Sequence, residues 1–266
     1  MTTIKDLFEA NKNKSKEEKR EIYKSLISSE DKLEIYRLEK NSFFVPENAQ
    51  LDQTKEYFSH SAMYVLTVTP YTTGPQSWKY SLGKVFKIVE EGKLELISEV
   101  QRNYGSFPFV FIEGHANGHD YLVCGEDYQG QTVIELDTGK KVSRVPQMGG
   151  FCWVNMMPSP SGNLMAVDGC YWACPYEIKI YDFSNPMDLP FNCLTEEYCI
   201  EKFEGWNKDE SCNISVEYDT RKSDGKPLKD LTEEEETELE RLCTPGTNQN
   251  EIYGYERKNL VWKTPA

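Results

Sequence analysis

Gly150 to Asn185 limits what this chain can fold into more than any other stretch of it. Phe151 to Met157 reads as a strand. Pro158-Ser159-Pro160-Ser161-Gly162-Asn163 follows as a turn, made of residues that either fix φ or free it. Leu164 to Val167 is a second strand. After an aromatic loop, Glu177 to Phe183 sets apolar Ile178, Ile180, Tyr181 and Phe183 among polar neighbours as a third, closed by Asp182-Phe183-Ser184-Asn185. The middle strand is expected to pair antiparallel with both of its neighbours. A helical protein has no use for such a pattern.

The pattern has an earlier version. Tyr121-Leu122-Val123-Cys124-Gly125, a loop, then Gln131 to Asp137 lines up with Leu164 to Gly169, a loop, then Glu177 to Asp182, and Asp137 is matched to Asp182. The spacing is roughly 40 to 45 residues, the period of four-stranded blades. Tyr64 to Val89 is a third copy with a longer loop. The order of strand, Pro-Ser-Pro-x-Gly turn, Ala-Val strand and Ile-x-Ile-Tyr-Asp strand resembles a blade of a WD-repeat-type β-propeller. The resemblance implies a mainly β, propeller-like fold, few-bladed or incomplete. A twisted β-sandwich is the competing arrangement.

Residues 1–47 differ from the rest and are expected to form a helical N-terminal arm. Ser15 and Glu18 fit a capping box, and Ile22, Tyr23, Leu26 and Ile27 share one helical face. Ser28 to Asp31 marks an end and a restart, after which Leu33, Tyr36 and Leu38 or Lys40 continue a packing face. Phe43-Phe44-Val45-Pro46 stops the helix. Residues 48–266 are read as one propeller-like β domain, with strand patterns starting at Ala62. Met187 to Asp209 reads as loop and Asn213 to Tyr218 as strand. Thr232 and Glu235 cap a short acidic helix that Pro245-Gly246 ends, and Ile252 to Trp262 returns to strand.

Forty-four acidic against 30 basic residues give a formal charge of −14. A field of that sign repels phosphate backbones and anionic membranes, so nucleic acid and membrane are not the expected partners. The first residues carry no basic-then-apolar leader, and no apolar run is long enough to span a bilayer, so a cytoplasmic, intracellular protein is expected. In that setting the eight cysteines are free thiols.

Two loops carry most of the unassigned polar and aromatic chemistry, Gly125 to Val133 and Asp168 to Glu177. Both are similar to those of a family of uncharacterised proteins found in cellular microbes and large DNA viruses, a resemblance over the middle third of the chain that implies no activity. In the repeat alignment the loops fall between the third and fourth strands of adjacent blades. One face would then gather Glu126, Asp127, Tyr128, Gln129, Asp168, Tyr171, Trp172, Tyr176 and Glu177, with Trp78 from the earliest copy. Rings for stacking beside hydrogen-bonding acids suit a protein partner or a polar small-molecule ligand, so a binding or scaffold protein is the first expectation. The rings could equally plug the β core while the acids serve tight loops.

The alternative function is a hydrolase acting on a sugar or other polar small molecule, with Asp127 paired to Asp168 or Glu177 as acid and base. His115 and His119 match Cys170 and Cys174 as a nominal zinc set, but the alignment puts the pairs on opposite faces, so no metal site is expected. No cofactor is expected either, because phosphate-loop, dinucleotide and Gly-x-Ser-x-Gly motifs are missing from the sequence.

Overall fold

A computed structural model describes residues 3–24, 29–146, 149–196, 199–243 and 248–264. The helix restart read at Ser28, the apolar Leu26 and Ile27, and the stop at Pro245-Gly246 lie outside these. The chain is mainly β and divides into two compact units, 1–153 with 186–190, and 154–185 with 191–266.

The first unit begins with three helices, α1 (Ile4–Asn11), α2 (Lys16–Lys24) and α3 (Ser29–Asn41). Thr3 caps α1, and the expected Ser15–Glu18 reciprocal bonds precede α2. A four-stranded antiparallel meander follows: β1 (Lys55–Phe58), β2 (Tyr64–Thr72), β3 (Lys79–Ile88) and β4 (Leu94–Arg102). A second meander contains β5 (Val110–Ile112), β6 (Tyr121–Cys124), β7 (Gln131–Glu135) and β8 (Lys141–Arg144). The two share a core in which Tyr64, Leu66 and Val85 of the first meet Leu122, Ile134 and Leu136 of the second. Each of these side chains is at most 2% exposed, a burial that stabilises by about 1.5–3 kcal/mol for a large apolar group.

The second unit is built on the third sheet. Its members are β9 (Cys152–Pro158), β10 (Leu164–Cys170), β11 (Tyr176–Asp182), β12 (Ile200–Trp206), β13 (Cys212–Arg221), the two-residue β14 (Lys226–Pro227) and β15 (Tyr253–Trp262). As expected, β10 lies between β9 and β11. Helix α4 (Glu233–Leu242) is the short acidic one, with Thr232 and Glu235 forming both bonds of the capping box. Within the third sheet, β9–β11 form one meander and β12, β13 and β15 another, joined between β11 and β12 by the Ile178–Ile200 register pair among the described residues.

One turn recurs before the second strand of each meander. The N–H of Ala62, Gly118, Gly162 and Glu210 donates to the carbonyl three residues back, on Ser59, His115, Ser159 and Asn207. All four donors have positive φ, between 57° and 88°. In two copies a carboxylate clamps the turn: Glu113 accepts from Ser59, from the Ser61 N–H and from the Ser61 hydroxyl, and Glu210 accepts from the Ser161 N–H and hydroxyl. At the same end of the strand pair, next to this turn, a second bond recurs, Ile88 N–H to Met63, Leu136 N–H to Asp120 and Phe183 N–H to Asn163.

These bonds fix the internal alignment and correct two details of it. Leu164 faces Asp182 and Tyr121 faces Glu135, so Asp182 matches Glu135, not Asp137. The copies are the second and third strands of each meander, so the 125–131 and 168–177 loops join second to third strand, not third to fourth. Four strands were missed in sequence: β1, β8, β12 and the two-residue β14, which falls in a stretch, Asp219 to Lys229, that reads as a long turn. β1, β8 and β12 carry charged residues at exposed positions, and this masks the alternation. The paired strands form three open sheets, and no helix among the described residues is long and apolar enough to cross a membrane.

Candidate functional site: two loops between second and third strands

In the first unit, helix α3 docks on the loop that follows β6. Tyr36, Arg37 and Lys40 are spaced so that one helical face presents all three. Arg37 grips the Glu126 carboxylate with two parallel bonds, Nε to Oε2 at 2.9 Å and Nη2 to Oε1 at 2.5 Å. The Tyr36 hydroxyl donates to Asp127 Oδ2 at 3.1 Å. Lys40, 3% exposed, donates from Nζ to the Gln101 carbonyl at 2.7 Å and lies 3.6 Å from Glu126 Oε2.

From the opposite side Arg102 reaches in from the end of β4. Its Nη1 donates to the Gly125 and Asp127 carbonyls at 2.8 and 2.6 Å, and Asn103 donates to Asp127 Oδ2 at 2.8 Å. The loop is too tight for a side chain at Gly125, where a Cβ would come within 2.2 Å of the Gly130 carbonyl oxygen.

This network sets the charges. Burial alone would raise the Glu126 carboxyl, but the Arg37 bonds and the Lys40 and Arg37 charges outweigh it and hold the group below its ordinary value. Burial pushes the Lys40 ammonium down to about 8, against the pull of Glu126. The Tyr36 hydroxyl is raised, chiefly by burial and then by Asp127. Glu126, Asp127 and Gln129 are therefore buried groups engaged within their own unit. Gln129 donates its backbone N–H to Asp127 Oδ1 at 3.0 Å.

Tyr128 is different. With Trp78 and Tyr104 it forms a row of rings, 5.6 Å between the centroids of Trp78 and Tyr104 and 6.4 Å between those of Tyr104 and Tyr128. Trp78, from the β2–β3 loop, is 55% exposed and donates its indole N–H to the Asn103 carbonyl at 2.6 Å. Trp78 and Tyr128, carried on equivalent loops of two meanders, are thus linked through Tyr104 of the segment between β4 and β5.

In the second unit the β10–β11 hairpin ends in a turn closed by the Cys174 N–H donating to the Tyr171 carbonyl at 2.9 Å. Ala173 takes the left-handed conformation, φ 61°, which puts Trp172 at the tip. Trp172 is 67% exposed and Tyr176 60%. Behind them Lys179 is buried, 3.7 Å from Glu177, with Nζ 5.0 Å from the Tyr171 ring centre. Burial disfavours its charge, but the Tyr171 hydroxyl and Glu177 overcome this and raise the ammonium above its usual value. The Asp168 carboxyl is raised by burial.

Among the described residues, no group of three or more His, Cys, Asp or Glu is placed to hold a metal ion. His115 is buried, its Nδ1 accepting from the Asn117 N–H within its turn. All eight cysteines are free thiols, and burial pushes Cys124 and Cys212 up to about 12.

The sequence reading missed the docking of α3. Its signal was present in Tyr36 and Lys40 on the packing face, but nothing local said that the acidic loop was their counterpart. Arg102 and Tyr104 were missed for the same reason.

The sheets and turns define a class: a mainly β protein built from repeated antiparallel meanders, with aromatic side chains carried on the turns between second and third strands. No family model matches the chain. It is 33% identical over 205 residues to "Uncharacterized protein R762" of Acanthamoeba polyphaga mimivirus, a match spanning 73% of this chain and 79% of the viral protein. The chain belongs to the same family as that protein.

Proposed function

We propose that the chain is a binding or scaffold protein whose meanders are propeller-like blades and whose second-to-third-strand loops make the contact with a protein or polar ligand. The blade reading is supported by the turn repeated at Ala62, Gly118, Gly162 and Glu210 and by the strand-closing bond repeated in three meanders.

The observation that carries the functional reading is the exposure of Trp172, two thirds of whose surface faces solvent on a tightly closed hairpin. Large rings kept outside the core, on backbone that cannot easily fold them back, are characteristic of contact surfaces. Asp168, Glu177 and Lys179 lie on the two strands of the same hairpin and would supply polar groups to a partner. A hydrolase has less to draw on, because Glu126 and Asp127 are engaged by Tyr36, Arg37 and Asn103.

Trp172→Ala is the test. The variant should keep its unfolding midpoint and lose the partners that the wild-type chain retains in a quantitative affinity comparison. A loss of about 3–5 kcal/mol in stability, the cost of removing a core aromatic, would overturn the reading.

A further inference from the structure

A cavity of about 910 Å3 opens in the first unit, walled by the three N-terminal helices and the start of the segment after α3. It is at the upper end of the size range of small-molecule sites, about 300–1,000 Å3. Phe8, Leu38 and Phe43 give it apolar walls, with the ring of Tyr23. Three lysines line it as well: Lys12, Lys16 and Lys19. Lys12 is paired with Glu9 at 2.8 Å, but Lys16 and Lys19 have no ion-pair partner among the described residues. They share one face of α2 with Tyr23, at positions i, i+3 and i+7. Two lysines with no ion-pair partner among the described residues thus line a cavity with aromatic walls. The Tyr23 hydroxyl is also a buried polar atom with no hydrogen-bond partner among the described residues.

We infer that this cavity binds a nucleoside phosphate, with the base between the apolar walls and the phosphates at Lys16 and Lys19. A fatty or other alkyl anion would satisfy the lysines and the walls but strand the polar groups between them. Asn13, Asn41 and Ser42 line the same space, and they match the hydrogen-bonding edges of a base or the hydroxyls of a ribose. Glu39 accepts from a base amine or a sugar hydroxyl and repels a bare anion, so it favours a ligand with its charge at one end. The acidic field of the whole chain works against a long polyanion, and a single nucleotide needs only the local pair of lysines. This inference stands apart from the Trp172 surface, which belongs to the other unit.

Isothermal titration with ATP, adenosine and tripolyphosphate, in chelator and at low salt, tests it. ATP should bind saturably with a dissociation constant at or below about 100 μM, and at least tenfold tighter than either adenosine or tripolyphosphate. Lys16→Glu combined with Lys19→Glu should weaken ATP at least tenfold while leaving the unfolding midpoint unchanged; if that variant is destabilised, Lys16→Gln with Lys19→Gln repeats the comparison. Tripolyphosphate binding as tightly as ATP would overturn the inference, because it reports only a cationic patch. ATP binding that ignores both pairs of substitutions would also overturn it, as would no heat at about 1 mM ATP.

Discussion

Glu126→Gln removes one charge from the centre of the α3 contact and leaves its shape intact. The cost can be worked from the groups around it. Arg37 loses a paired carboxylate, but its side chain is 41% exposed and can rehydrate, so this part is about 0.5–1 kcal/mol. Lys40 is the larger concern, since its side chain is 4% exposed and breaking a buried pair typically costs about 3–5 kcal/mol. Here neutralisation caps the cost. Burial brings the folded Lys40 ammonium down to about 8, so near pH 7 its charged form is favoured over the neutral one by only about 1–2 kcal/mol. When Glu126 is lost, Lys40 can shed its proton, and its share of the loss cannot exceed that figure. The total is about 2 kcal/mol near pH 7. The cap grows by about 1.4 kcal/mol for each unit of pH lowered, giving about 3–4 kcal/mol near pH 6.

The sign follows from proton binding. In the variant, folded Lys40 is neutral where the unfolded side chain is charged, so the unfolded state holds the extra proton and docking weakens as pH falls. In the wild type, Lys40 stays charged in both states below about 8, and this group contributes no slope there. Hydrogen exchange of the amides from Glu34 to Asn41 reads the opening free energy of α3 directly. A difference between variant and wild type that is the same near pH 8 and near pH 6 would refute the reasoning, because Glu126 would then not be what keeps Lys40 charged.

Three further expectations concern the sheets. Ala62→Gly should raise the unfolding free energy by up to about 1 kcal/mol, since φ of 57° is strained for alanine and free for glycine, and a lower midpoint would contradict the turn geometry. Gly83→Ala should destabilise by about 1–3 kcal/mol, because a Cβ there would stand 2.4 Å from the Phe107 ring; an unchanged denaturation curve would mean that the ring is not packed on β3. Trp262→Ala, at a residue 4% exposed and in edge contact with Trp206, should cost about 3–5 kcal/mol in chemical denaturation, and a loss under about 1 kcal/mol would argue that β15 is not part of the core.

The sequence by itself determined the inner strands of each meander and the turns between them. Leu164–Val167 and Tyr121–Cys124 are continuous apolar runs bounded by Asn163 and Asp168 and by Asp120 and Gly125, and such runs are legible because burial on both faces leaves no room for charge. The caps at Ser15 and Thr232 were equally plain, since a capping box is a contact over three residues. Tertiary structure decided everything that depended on what lay opposite. Lys55–Phe58, Lys141–Arg144 and Ile200–Trp206 became strands because a neighbour supplied the hydrogen bonds, although their charged exposed positions hid the pattern. The nominated acids divided the same way: Glu126 and Asp127 met the basic face of α3 from about ninety positions earlier and were buried, whereas Trp172 and Tyr176 sat on a two-strand hairpin whose own turn held them in solvent. A local turn is written in a handful of adjacent residues. A long-range ion pair is written only in the path of the whole chain.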